Sequence, residues 1–162
     1  SIRRRQRQMC IRDRYMHTVR CQDILAVGRE MLAGELLYRT GDFDRAFAHL
    51  RQAVVLEDAL PYDEPWGWMQ PGRHALGALL LEQGHIEEAA TAYRADLGLD
   101  QTVIRSNQHP NNVWALQGLH MCYQKMGETR LAAMIKPALD IAQGRADQTV
   151  QSSCFCAGQT AE

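Results

Sequence analysis

Three glycines set the frame for this chain. Gly41, Gly84 and Gly127 recur at a constant spacing of 43 residues, and an alanine follows each five positions later: Ala46, Ala89 and Ala132. Around them three segments align. They are Gly34-ELLYRT-Gly41-DFDRAFAHLRQA, Gly77-ALLLEQ-Gly84-HIEEAATAYRAD and His120-MCYQKM-Gly127-ETRLAAMIKPAL. A fixed internal period points to a stacked repeat rather than to a single irregular core. Before each glycine, apolar residues recur at helical spacing: Leu32, Leu36 and Leu37, then Leu76, Leu79 and Leu80, then Leu116, Leu119 and Tyr123. These are predicted to face the core. The glycine ends the first helix by taking a left-handed conformation. Asp42, His85 or Glu128 then opens the second helix at its positive dipole end. Ala46, Ala89 and Ala132, with Gly34 and Gly77 opposite them, let paired helices approach closely. Each hairpin is expected to bury only one face alone, so neighbours must stack.

The pattern resembles the tetratricopeptide repeat family over roughly residues 23–143, with Tyr93 matching an aromatic position on a second helix. The resemblance implies an all-α fold: a right-handed solenoid segment of about three hairpins, spanning residues 22–58, 70–99 and 111–143 within a domain 15–143. The period is longer than the family's, so each repeat is expected to carry an inserted loop. The third segment has His120 in place of glycine and Pro137 inside its second helix. That proline is predicted to kink or end the helix. The first insert, DALPYDEPWGWMQP from Asp58 to Pro71, is too apolar for a solvated linker and is predicted to be ordered, with Tyr62, Trp66 and Trp68 as contact candidates. The second, Asp100–Pro110, is polar and predicted to be a looser connection. The run LEDALPYDEPWGW, followed by Pro71-x-Arg73 and LGALLLEQG, is similar to longer tetratricopeptide proteins in which such repeats lie toward the C-terminus.

In that family the first helices line a concave groove. Carried over by position, the groove falls on Met31, Glu35, Tyr38, His74, Ala78, Leu81, Trp114, Gln117 and Met121. Aromatic residues and methionine are enriched on partner-binding surfaces. The resemblance therefore implies a scaffold that binds a segment of a protein or peptide partner, with no catalysis and no cofactor. A paired Lys/Asn carboxylate clamp is not expected, because the first two such helices contain no lysine.

Ser1–Arg14, SIRRRQRQMCIRDR, holds six of the 18 basic residues. A basic arm of this kind invites a nucleic-acid reading. Yet Arg4–Asp13, RRQRQMCIRD, resembles one reading frame of a transposase adapter used in sequencing libraries. It is set aside as non-native sequence, and further repeats are expected upstream. The whole chain has a formal charge of -1; without residues 1–14 there remain 12 basic and 18 acidic residues, a charge of -6. Such a body is poorly suited to phosphate backbones, so no nucleic-acid partner is expected. No apolar run is long enough for a membrane span. Only five cysteines favour a reducing, cytoplasmic compartment.

Catalytic signatures are missing from the sequence. There is no G-x-S-x-G, no HExxH and no phosphate-binding glycine motif. Asp63-Glu64 is read as a solvated loop pair, and His120 as a core histidine. The tail 144–162 ends in Ser152-Ser153-Cys154-Phe155-Cys156, whose two close thiols give the alternative function: soft-metal binding or redox chemistry at Cys154 and Cys156. No second cysteine pair completes a zinc site. The bland alternative is a terminal segment docked on the last helix, with Phe155 pinning it.

Overall fold

The computed structural model describes residues 14–154 and 156. The arginine arm up to Asp13, with Arg4–Asp13 inside it, and Phe155 lie outside the described residues. Six α-helices account for most of what is described: α1 (Cys21–Arg39), α2 (Phe43–Asp58), α3 (Gly72–Glu82), α4 (Ile86–Leu97), α5 (Val113–Lys125) and α6 (Thr129–Gln143). A two-stranded antiparallel ribbon precedes them, β1 (Tyr15–Met16) paired with β2 (Val19–Arg20). This ribbon has no counterpart in the sequence reading; strands of two residues carry no periodicity.

The three turn glycines behave alike. Their φ angles are 86° at Gly41, 82° at Gly84 and 74° at Gly127, all left-handed. Each closes the preceding helix with the same pair of hydrogen bonds. The glycine N–H reaches the carbonyl three residues back (Tyr38, Leu81, Gln124), and the next N–H reaches the carbonyl five back (Leu37, Leu80, Tyr123). This double bond pattern satisfies carbonyls that the helix end would otherwise leave without partners. Asp42 also caps α2, its carboxylate accepting the Arg45 N–H at 3.4 Å.

The chain packs as two compact units, one ending at Gly72 and the other beginning at Arg73. In the first, α1 packs on α2. A β-carbon on Gly34 would lie 2.7 Å from Leu50 Cγ, so glycine permits that approach. The buried face of α1 is Val27, Glu30, Met31, Gly34 and Tyr38. Leu32 and Leu36, predicted to be core, point to solvent instead. Tyr38 meets Phe43 and Phe47 edge-on, with ring centroids 5.1 and 6.1 Å away. His49 on α2 bonds Glu30 on α1 at 2.6 Å.

The 58–71 insert is ordered, as its composition predicts, but not through its tryptophans alone. Asp63 is buried rather than solvated. It accepts the Thr18 N–H at 3.3 Å and the Glu64 N–H at 3.0 Å. Thr18 in turn donates its hydroxyl to the Tyr62 carbonyl at 2.8 Å, tying the ribbon to the insert. Val19 is buried against Gly67. Trp68 lies over Gly28 of α1, where a β-carbon would meet its ring at 3.2 Å.

In the second unit, α3 and α5 converge on Tyr93 of α4. A β-carbon on Gly77 would come within 2.5 Å of the Tyr93 ring, and one on Gly118 within 2.2 Å. α5 also packs on α6. α6 runs through Pro137 to Gln143 and does not end there. Proline forfeits one backbone bond, and Ala132 and Leu139 remain buried on the opposite side of this residue's exposed position.

Candidate functional site

The placement of the groove residues divides them into two groups. Met31, Tyr38, His74, Ala78 and Leu81 are buried, whereas Glu35, Trp114, Gln117 and Met121 are half-buried. The first group is therefore packed away from solvent, and the second retains surface. Of the loop candidates, Tyr62 and Trp66 are exposed and Trp68 is half-buried.

A different set of apolar residues is open to solvent on α1. Leu25, Leu32 and Leu36 are 71%, 62% and 58% exposed. Spacings of seven and eleven residues bring side chains back to nearly the same angle at 3.6 residues per turn, so the three form one line along the helix, about 16 Å long at 1.5 Å per residue. Two apolar stripes thus share α1: one seals the unit through Gly34, and the other faces outward.

Polar residues inside the second unit form a connected cluster. Asp96 on α4 is fully buried. Its carboxylate accepts from His74 Nε2 at 2.9 Å and from His109 Nδ1 at 2.8 Å. Its backbone carbonyl accepts the His109 N–H at 2.6 Å. Burial alone would push the Asp96 carboxyl up, but the hydrogen bonds from His109 and His74 outweigh it and hold the group below the usual carboxylate range. This bonding ties the 98–112 connection to α4. Within the connection itself, Gln108 donates to the Val103 carbonyl at 2.7 Å. The connection predicted to be loose is therefore pinned near its C-terminal end, at His109, by a buried charge that needs partners.

The tail is docked too. Gln143 pairs with both backbone groups of Val150, donating to its carbonyl at 2.8 Å and accepting its N–H at 3.1 Å. Ser153 is buried, bonds the Tyr93 hydroxyl and donates to the His74 carbonyl at 2.9 Å. Cys154 and Cys156 are joined in a disulfide and both are buried. Joined sulfurs present no thiolate to a metal in this state. Among the described residues, no group of three or more His, Cys, Asp or Glu is arranged to hold a metal ion. Cys122 is buried, and that burial pushes its thiol up to about 12, the behaviour of an unreactive packing residue.

Sequence reasoning missed Asp96, His109 and Ser153. Asp96 looks like an ordinary helix-end carboxylate, and its partners lie 22 and 13 residues away. It also placed Leu32 and Leu36 on the wrong side of α1; Gly34 was the available signal, since the helix approaches its partner where the side chain is smallest. No helix of the described residues is long and apolar enough to cross a membrane. No protein-family model matches the chain, and no curated protein matches it significantly.

Proposed function

We propose that the chain is a tetratricopeptide-like helical-repeat scaffold that binds an apolar segment of a protein partner and performs no chemistry of its own. The supporting observation is the line of Leu25, Leu32 and Leu36 on α1. Large apolar side chains aligned on one exposed helix face are the usual mark of an interaction surface. A fitting occupant is an amphipathic helix that presents apolar residues at i, i+3 or i+4, and i+7. The solvated Arg29 and the half-buried Glu35 flank this line and would form its polar rim. The three like glycine turns support the repeat reading, with Met31 and Tyr38 as packing behind the surface. On α5, Trp114, Gln117 and Met121 are a second candidate surface of the same kind.

Selection from a random peptide display library against the full chain tests the proposal. Enriched peptides should be amphipathic, and Leu32→Glu with Leu36→Glu should abolish their binding while the thermal midpoint stays unchanged. No enrichment, or peptides that bind the double variant equally well, would sink it. Trp114→Ala, measured alongside, reports whether α5 takes part.

A further inference from the structure

We propose that α3, α4 and the end of α6 form a peptide-binding seat. Residues 150–154 fill it in cis, and it takes in trans a protein segment of the same pattern: an apolar residue, two open positions, a serine and a small apolar residue. The inference does not depend on what α1 binds.

The segment is held as a bound peptide is held. Residues 147–149 are exposed, and 150–154 are neither helix nor strand. Val150, Ser153 and Cys154 are buried, whereas Gln151 is exposed and Ser152 half-buried. Gln143, the last residue of α6, pairs its side-chain amide with both backbone groups of Val150, at 2.8 and 3.1 Å. A neighbouring strand would offer the same two bonds; such main-chain bonds give affinity and leave specificity to the side chains. Specificity lies at Ser153. Its hydroxyl donates to the His74 carbonyl at 2.9 Å, so the Tyr93 hydroxyl donates to it in turn. A single atom must give one bond and take another there, and among side chains that is a hydroxyl oxygen. Alanine at this place would leave two buried polar atoms without a partner.

The seat is set by contacts that do not involve the segment. The Tyr93 ring is fixed between Gly77 of α3 and Gly118 of α5. His74 is fixed by its 2.9 Å bond to Asp96. The hydroxyl and the carbonyl that meet Ser153 are therefore preorganised, which lowers the cost of binding. The short connection after Gln143 holds the tail at an effective concentration on the order of millimolar. A seated tail means that the seat binds this sequence more tightly than that value, and that a second peptide must compete with it.

Anisotropy titrations with a labelled QTVQSSC peptide, residues 148–154, test the seat. The wild-type chain should bind little of it at about a tenth of the effective concentration. The full chain carrying Val150→Asp and Ser153→Ala, its own tail disabled, should bind it with a submillimolar Kd and keep its helical circular dichroism. Replacing the second serine of the peptide with alanine should weaken binding by about tenfold or more. Adding Gln143→Ala to the tail-disabled chain should weaken it by a similar factor. Failure of the tail-disabled chain to bind, equal binding by the wild-type chain, or equal binding of the alanine peptide would overturn the proposal. So would loss of helix in the tail-disabled chain, which would make the segment part of the core instead of a ligand.

Discussion

Asp96 shows how one residue can organise a unit. It is the meeting point of α4, α3 through His74, and the 98–112 connection through His109. Removing a buried charge from partners that remain is costly, so Asp96→Asn should lower the unfolding free energy by about 2–3 kcal/mol near neutral pH. The pH dependence has a definite sign. The folded carboxyl sits below its ordinary value, so its contribution is complete above about 4, the unfolded value, and fades as pH falls through and below that point. Urea titrations between pH 7 and pH 3 should show the gap between wild type and Asp96→Asn narrowing with acid; a constant gap would contradict this. Glu30 has the same sign, held low first by its hydrogen bond from His49 and then by Arg29. Gly118 makes a steric counterpart. Its missing side chain is filled by Tyr93, so Gly118→Ala should cost about 1–3 kcal/mol by denaturant melt.

At the level of helices, what could be read from the sequence was what is local. Gly41, Gly84 and Gly127 are legible because a left-handed residue closing a helix depends on a few neighbouring bonds. The outward line of α1 was not. Leu25, Leu32 and Leu36 have the same period as Val27, Met31, Gly34 and Tyr38, and periodicity says that a face exists without saying what it meets. Surface substitutions there should be nearly silent in stability. Leu32→Glu and Leu36→Glu should each shift the unfolding free energy by no more than about 0.5 kcal/mol, against several for a core leucine, and chemical denaturation distinguishes the two. The buried cluster was illegible for another reason: His74, Asp96, His109 and Ser153 meet only after the chain has folded, and nothing in their local spacing marks them. Pro137 shows the limit of propensity. Its helix continues because Ala132 and Leu139 hold the rest of it in place. Pro137→Ala restores a backbone donor at an exposed position and should raise the thermal midpoint by several degrees; a lower midpoint would mean the ring itself is needed.

Across the whole chain, charge and steric fit impose different limits. The formal charge of -1 is a sum of unlike parts, since residues 15–162 alone carry -6. A chain beginning at Tyr15 should show no measurable affinity for a duplex oligonucleotide in a fluorescence titration. The 162-residue chain, with its six N-terminal arginines, should bind weakly and lose that binding as salt rises. Tight, salt-resistant binding by the shorter chain would count against the acidic-body reading. Tyr93 limits the chain in time rather than in space. Its ring occupies the volume that side chains at both Gly77 and Gly118 would need. While the tyrosine is kept, any residue larger than glycine at either position is penalised. A lineage that replaces it with a smaller residue frees both at once. These three positions should therefore drift together among descendants of this sequence, and Gly118→Ala should be rescued by a smaller side chain at position 93.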